Sequence, residues 1–371
     1  MSQRARAGEV VAVESRISAI VDDTLAYRGF PIESLYQHAT FEEVVFLLWF
    51  DQLPSVSDLI AFQDRIATIP SLAETAAGFV DRAAPAGLTR ALEAGIIGLG
   101  VSDRPAGDSL GMPLRVLTGL PDMVNRFGGI VRGVPASQFS TSRSIAERFL
   151  HAWLGREPRA EEVTAFDRGL ILTADHELNA ATFAARVAAS TGADLVSAVL
   201  AAIATQSGPL HGGAMAKTGM LLELATAGDP TAEIDRRLAH GERIPGFGHS
   251  VYRGGDPRAA LFRDLVQDTA VRNGDDRWLT AADRIVQIAT DRIGLPPNLD
   301  LYAAAFWSAL GIPPDLFPGI FSIGRVAGWV AHIREQYADN RLIRPRARYI
   351  GRSSESWAPI EQRSEWFTRS N

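Results

Sequence analysis

The chain has 371 residues, 46% hydrophobic and 22% charged, a composition typical of a globular protein with a sizeable core. Its net charge of -6 and pI near 5.7 argue against a non-specific nucleic-acid binder, which needs surplus basic residues. The absence of cysteine excludes disulfides, zinc–thiolate sites, iron–sulfur clusters and cysteine nucleophiles. Because neither a secretory signal nor an apolar run of about 20 residues is visible, we expect a cytoplasmic protein without a membrane partner.

Helix start and stop signals recur along the chain. Thr40 and Glu43 have the spacing of a capping box before an apolar run that Pro54 stops. Further on, Asp256 and Pro257 have the order of an N-cap and a first helical residue. The other helical segments, most of which end at a glycine, are 141–155, 179–192, 193–208, 214–228, 257–274, 298–311 and 321–339.

Strand patterns are confined to the N-terminal region. Residues 9–23 and 24–32 alternate with period two, which predicts a short hairpin or ribbon. Residues 85–137 carry many glycines and prolines, and we interpret them as short helices and loops. Because strands and helices do not alternate, the sequence predicts an all-α fold, with an α/β domain as the alternative.

Three of the seven histidines lie in unusual settings. His176 lies in "TADHELNAATF", whereas His211 in "GPLHGGAMAK" and His249 in "PGFGHSVYRGG" are flanked by glycines. Glycine flanks leave a ring accessible and main-chain amides nearby, as in many loop active sites, although a surface-loop histidine is the plain alternative for each. We interpret the other four as structural: His38, His151, His240 and His332.

Two other kinds of site are weaker alternatives. The "DHE" at 175–177 offers metal ligands but lacks the paired histidines of a zinc helix, so we expect no metal. The segment 246–255 is glycine-rich but matches neither GxGxxG nor a P-loop, and the chain has no GxSxG elbow for serine hydrolysis.

Arginines and one aspartate complete the candidate site. Arg258, Arg325 and Arg344 lie in motif-like segments, and arginine binds carboxylates in bidentate fashion while staying charged when buried. Together with the histidines they suit a substrate with two or more carboxylates, although an arginine taken alone is more often a surface or structural residue. Asp300 follows a double proline at a helix start, where a carboxylate also simply complements the helix dipole.

These motifs in order resemble the citrate synthase family, and the resemblance covers nearly the whole chain. The matching segments are "GEVVAVESRISAI", "LTADHELNAATFAARVAAST", "GPLHGGA", "PGFGHSVYRGGDPRA", "NLDLYAAAFWSALGIP" and "FSIGRVAGWVAHIREQ…DNRLIRPRARYIG". The resemblance implies a helical homodimer with a large domain at 1–210 and 307–371 and a small, mobile, CoA-binding domain at 211–306. It implies the condensation of acetyl-CoA with oxaloacetate to give citrate and CoA, by a si-type enzyme of the tricarboxylic acid cycle that needs no cofactor.

The resemblance also implies roles for individual residues. Asp300 would be the base that takes a proton from the acyl methyl group, His211 would stabilise the enol oxygen, and His249 would polarise the ketone of oxaloacetate. His176, Arg258 and Arg325 would bind the oxaloacetate carboxylates. The remaining implied contacts are Phe321 lining the substrate, Arg344 reaching the neighbouring subunit's site, and Gly246, Phe247, Gly248 and Arg253 at CoA.

Several positions depart from the family's usual residues. They are Thr173 in place of histidine, Ala181 in place of serine, Met215 in place of asparagine, Ser250 in place of arginine, and alanines at 303 and 304 in place of Ser-Gly. These departures leave the implied catalytic residues intact but leave affinity and acyl preference open. The alternatives are therefore a 2-methylcitrate synthase that uses propionyl-CoA, and a weakly active or non-catalytic relative with a binding or regulatory role.

Overall fold

The computed structural model describes residues 12–101, 108–134, 142–209, 211–249, 251–352, 354 and 356–363. Within them, three strands form one small sheet: β1 (Ser18–Val21), β2 (Thr24–Tyr27) and β3 (Phe30–Pro31). The sixteen α-helices of the described residues are α1 (Ile32–His38), α2 (Phe41–Phe50), α3 (Val56–Thr68), α4 (Glu74–Ala83), α5 (Leu88–Val101), α6 (Gly111–Arg132), α7 (Ile145–Leu154), α8 (Ala160–Thr173), α9 (Ala180–Ser190), α10 (Leu195–Gln206), α11 (Gly213–Ala227), α12 (Thr231–Ala239), α13 (Pro257–Asn273), α14 (Arg277–Ile293), α15 (Leu299–Ala309) and α16 (Phe317–Ala338). The predicted all-α class is confirmed.

The predicted N-terminal ribbon exists, but it is shorter than its sequence pattern. β1 pairs antiparallel with β2 from Ser18↔Tyr27 to Val21↔Thr24, and β2 pairs with β3. The turn at Asp22 and Asp23 has positive φ at both residues (49° and 61°), a conformation that aspartate tolerates and that suits a tight hairpin. Residues 12–17 alternate in sequence but form no strand, although the Ile17 carbonyl accepts the Arg28 amide (2.8 Å) beside the ribbon.

Local capping explains several helix ends. Thr40 and Glu43 form the predicted capping box at α2. Asp256 caps α13, Pro257 is its first residue, and Gly274 ends it in the left-handed conformation. These ends agree with the sequence signals because each depends on neighbours within a few residues.

The interpretation of residues 85–137 as short helices and loops is wrong. The described part of this region holds α5 and the 22-residue α6, which continues through Pro121. A proline inside a helix removes one hydrogen bond, but α6 is buried along most of its length, and its packing outweighs that local cost.

The long helix α16 is the centre of the core. It packs on α2, α6, α8, α9 and α10, and most of its residues are buried. It is long and apolar enough to cross a membrane, yet its burial inside the protein is that of a core helix. Gly324 and Gly328 bring it against the end of α8, since a Cβ at either position would collide with Thr173 or Asp175.

The helices α11, α13, α14 and α15 pack on one another. They are joined to the rest of the molecule where α13 meets α8 and where α11 meets α16. The domain boundaries at 210 and 306 stay a prediction.

Candidate active site

The turn between α8 and α9 carries His176, and the N-terminal ribbon holds it. Ser18 on β1 donates its hydroxyl to Asp175 Oδ2 (2.5 Å) and accepts the Glu177 amide through the same oxygen (2.9 Å). Tyr27 on β2 donates to the Asp175 carbonyl (3.0 Å). Glu177 adopts a left-handed φ of 49° and accepts the Ile20 amide (2.6 Å), so the turn is bonded on both sides of His176.

Asp175 links this turn to α16. His332 Nε2 lies 3.3 Å from Asp175 Oδ2, and both side chains are fully buried. Burial alone would raise the pKa of Asp175, but the His332 imidazole brings it below its usual value. His332, interpreted as structural, is a core residue that reaches the candidate site through Asp175.

The loop carrying His249 is fixed by residues just before α15. Gly246 and Gly248 adopt positive φ (85° and 74°), and Asn298 bonds both of their carbonyls, with its amide to Gly246 and its side chain to Gly248 (2.9 Å each). Phe247 is half-buried and forms a β-bridge with Pro297. The same hydrogen bonds therefore place the loop and the start of α15.

Main-chain hydrogen bonds determine which ring nitrogen of His249 carries the proton. Its Nδ1 accepts the amides of Val251 (3.0 Å) and Tyr252 (3.3 Å), so in the neutral ring the proton lies on Nε2. Burial lowers the pKa of His249, while the nearby Asp256 carboxylate opposes that shift. The ring is a neutral N–H donor at physiological pH.

Arg258 is buried, and the described residues bond only one side of its guanidinium group. Its Nε and Nη2 form a bidentate pair with Asp256 (2.9 and 2.8 Å), and Asp256 also accepts the Leu299 amide (3.2 Å). Arg258 Nη1 has no partner among the described residues. Although burial opposes it, Asp256 raises the pKa of Arg258 above its ordinary value. An orphaned donor on a buried cation is where an anionic ligand would bind.

Arg325 is a second buried arginine in the candidate site. Its Nε donates to the Thr173 carbonyl (2.7 Å), and its guanidinium lies 4.5 Å from the centre of the Phe321 ring. Burial, together with the repulsion of Arg258, lowers its pKa to about 10. Two buried like charges in one region lose stability unless an anion binds between them.

His211 precedes α11 in a glycine-rich turn. Its amide donates to the Gly208 carbonyl (2.9 Å), and Nε2 is buried without a partner among the described residues. Burial, assisted by Arg325, lowers its pKa to about 4, so the ring is neutral.

Asp300 lies in the first turn of α15. Its amide donates to the Asn298 side chain (2.9 Å), the N-cap, and its carboxylate has no hydrogen-bond partner among the described residues. Burial raises its pKa to about 6, although Arg258 and Arg325 oppose the shift. A carboxylate with a raised pKa that is still ionised at pH 7 is suited to act as a base.

The structure brings most of the predicted residues into one region. The His176 and His249 ring centres are 5.1 Å apart, and the charges of Arg258 and Arg325 influence the pKa of both His176 and Asp300. Sequence reasoning missed three residues that hold this cluster: Tyr252, Asp256 as the partner of Arg258, and Asp175. The "DP" helix start that predicted the N-cap was the only available signal for Asp256.

Two predicted residues lie outside this cluster in the single chain. Arg344 is exposed in the segment 340–350, which has no regular structure. Arg253 is exposed, and its amide bonds Asp23 of the ribbon (3.2 Å).

The positions that depart from the family's usual residues lie in different surroundings. Thr173 bonds the carbonyls of its own helix and turns its main-chain oxygen to Arg325. Met215 and Ala181 are buried. Ser250 lies outside the described residues.

Comparison with known proteins assigns the class. The family model described as "Citrate synthase, C-terminal domain" matches residues 7–346. Citrate synthase 2 of Bacillus subtilis is 39% identical over 96% of this chain and 98% of its own, and 2-methylcitrate synthase 2 of Corynebacterium glutamicum is 33% identical over 95% and 96%. The Thermoplasma acidophilum citrate synthase, solved in ternary complex with carboxymethyl coenzyme A and oxaloacetate, superposes with a TM-score of 0.85 at 26% identity and covers 95% of this chain and 97% of its own.

The helical fold and this site thus define a condensing enzyme of the transferase type. The chain belongs to the citrate synthase family.

Proposed function

We propose that the protein is a citrate synthase of the si type, which condenses acetyl-CoA with oxaloacetate and releases citrate and CoA. The observation that carries the proposal is the grouping of a base, a neutral donor and two buried cations. Asp300 has a pKa of about 6, His249 offers Nε2–H, and Arg258 has a free Nη1 beside Arg325. The proposed steps use these side chains and the two substrates, without a metal or cofactor.

Oxaloacetate would be bound first by its carboxylates. Arg258 Nη1 and the Nη atoms of Arg325, which have no hydrogen bond to described residues, would donate to them, and His176 would add a third donor. Phe321 would line the site beside Arg325. Binding a dianion would relieve the repulsion between the two arginines, so we expect the keto acid to order the site before the thioester reacts.

Enolisation would use Asp300 and His211 together. A thioester methyl is a very weak acid, so removal of its proton by Asp300 needs simultaneous stabilisation of the developing enolate oxygen. The buried Nε2 of His211 would donate a hydrogen bond to that oxygen. Because the pKa of His211 is about 4, the ring enters the reaction neutral.

Condensation would join the enol carbon to the ketone carbon of oxaloacetate. The carbon–carbon bond forms as the carbonyl bond opens, and His249 Nε2–H would supply the proton to the new alkoxide. Water would then cleave the thioester of citryl-CoA, giving the third carboxylate of citrate and the CoA thiol. Burial of the site would exclude water from the enolate until the new bond has formed.

The surroundings of the site would supply CoA and dimer contacts. We propose that the main chain of Gly246, Phe247 and Gly248 wraps the adenine and that the exposed Arg253 approaches the phosphates. We further propose a cytoplasmic homodimer in which residues 211–306 close over the substrates and Arg344 enters the neighbouring subunit's site. The exposure of Arg344 in the single chain supports that placement.

A 2-methylcitrate synthase is the alternative, because relatives of that name are 33% and 34% identical to this chain. We favour acetyl-CoA because the Bacillus subtilis relative named citrate synthase 2 is 39% identical. One methylene in a pocket is worth only about 1–3 kcal/mol, so the rate with each thioester decides between them.

The test measures release of the CoA thiol from oxaloacetate with acetyl-CoA or propionyl-CoA. We expect a higher kcat/KM with acetyl-CoA, and a loss of about 10²–10⁴ in kcat for Asp300→Ala. Asp264→Ala, which removes an exposed carboxylate from α13, is the control and should keep full activity. A preference for propionyl-CoA would identify a 2-methylcitrate synthase, and no turnover by folded protein would favour a non-catalytic role.

A further inference from the structure

The phenol of Tyr252 contacts His176 in the centre of the cluster. Tyr252 Oη lies 3.0 Å from His176 Nε2, and both side chains are buried. The Tyr252 ring centre is 5.5 Å from that of His176 and 4.6 Å from that of His249, so the three rings pack together. We propose that Tyr252 is a positioning residue of the keto-acid site, whose hydroxyl donates to His176 Nε2 and thereby fixes the single ring proton of His176 on Nδ1.

The direction of the hydrogen bond follows from the available protons. A neutral imidazole has one N–H and one acceptor nitrogen, and a phenol has one O–H. The described residues give the Tyr252 hydroxyl no other acceptor, so donation to Nε2 satisfies both groups. The reverse direction would leave a buried O–H unpaired, at a cost of about 1–3 kcal/mol.

Both groups are in the protonation states that this bond needs. Burial lowers the pKa of His176 well below its usual value, and the charges of Arg258, Arg325 and His249 lower it further. Burial raises the pKa of Tyr252 above its usual range, so the phenol keeps its proton.

Tyr252 thus determines the tautomers of two adjacent histidines. Its side chain fixes His176 with the proton on Nδ1, while its amide, with that of Val251, leaves the proton of His249 on Nε2. Two fixed N–H groups of opposite tautomer present a keto acid with donors that need no reorganisation. Without the phenol, the His176 ring could exchange tautomers, and keto-acid binding would weaken.

The tautomer is measured directly on wild-type protein. In ¹⁵N-histidine-labelled protein, the signals lost in His176→Asn identify His176. We expect a protonated-type shift at Nδ1 and an unprotonated-type shift at Nε2. A proton on Nε2 would overturn the proposal, and this measurement needs neither catalysis nor a folded Tyr252 variant.

The binding consequence rests on the proposed function and is tested with Tyr252→Phe. Calorimetry with oxaloacetate should show a Kd about five- to tenfold higher than that of the wild type, as expected for the loss of one buried hydrogen bond. The KM for acetyl-CoA should stay within about twofold of the wild-type value. The control is Tyr36→Phe, which removes another buried phenol that bonds the Leu261 carbonyl (3.4 Å), and it should change neither constant.

The outcomes separate this proposal from the proposed function. Unchanged oxaloacetate binding in Tyr252→Phe, or an equal rise in both constants, would contradict a positioning role. Wild-type protein that binds oxaloacetate and shows the expected tautomer, but releases no CoA, would refute the condensation while leaving the role of Tyr252 intact.

Discussion

Asp300 combines opposing influences on one carboxyl group. The charges of Arg258 and Arg325 favour its ionised form. Its place in the first turn of α15 has the same effect, because the helix dipole stabilises a carboxylate there by about 0.3–1 kcal/mol. Burial acts in the other direction and prevails, raising the pKa to about 6. The result is a stronger base than an exposed aspartate, still ionised at pH 7.

The first prediction is a pH profile set by Asp300. The base acts only when ionised, so activity is present above its folded-state pKa and is lost as the pH falls through about 6. We expect log(kcat/KM) for acetyl-CoA to fall with unit slope below that pH. His211 does not titrate in this window, since its pKa is about 4.

A control distinguishes titration from unfolding. Enzyme held at pH 5.5 and returned to pH 7.5 should regain full activity. If the pH profile of kcat/KM bends near pH 4 instead of near pH 6, the Asp300 carboxylate is well solvated in the free enzyme.

At the scale of elements, the N-terminal ribbon is the part that joins both histidine segments. Ser18 on β1 bonds the turn that carries His176, at Asp175 and at the Glu177 amide. Asp23, at the β1–β2 turn, accepts the amides of Arg253 (3.2 Å) and Gly254 (2.9 Å), just after the His249 loop. A ribbon of a few residues therefore sets the distance between two parts of the site that lie more than 70 residues apart in sequence.

The second prediction concerns Asp23. Asp23→Asn removes the charge that strengthens both hydrogen bonds, and we expect kcat/KM to fall about three- to tenfold with little loss of thermal stability. Asp22→Asn is the matched control, because it is an exposed neighbour in the same turn with the same left-handed backbone. Equal effects in the two variants would show that the turn itself, and not its bond to the loop, is responsible.

Local features of the elements were predictable, and contacts between distant segments were not. The capping box at Thr40 and the helix start at Asp256 depend on residues within three positions, so the sequence displays them. The continuity of α6 through Pro121 depends on tertiary burial, which no local pattern reveals. In the site, the resemblance supplied the histidines and arginines, but the bonds of Tyr252 to His176 and of Asp175 to His332 join segments 76 and 157 residues apart.

At the scale of the whole molecule, the segment just before the N-terminal ribbon meets the last turns of α16. Arg16 donates its amide to Glu335 near the end of α16 (2.8 Å), and Glu335 also pairs with the buried Arg186 of α9 (2.5 Å). After α16 the chain leaves the core as an exposed segment that carries Arg344. An exposed segment that carries an arginine is available to contact a second copy of the chain.

The third prediction tests whether Arg344 acts in the neighbouring subunit. Asp300→Ala and Arg344→Ala homodimers should each be nearly inactive. If Arg344 serves the partner's site, a heterodimer of the two contains one site with both residues intact. Random reassortment of subunits then restores about a quarter of wild-type activity, since half of the dimers are mixed and each has one intact site.

The result is checked by mixing the two variants under conditions that exchange subunits and then assaying CoA release. Mixing Asp300→Ala with Asp300→Ala is the control and should restore nothing. Absence of recovery in the mixed sample, with heterodimers demonstrated by mass spectrometry of a tagged subunit, would place Arg344 in its own subunit's site. Recovery would establish that each site is built from both chains, and that the exposure of Arg344 in a single chain reflects a binding role.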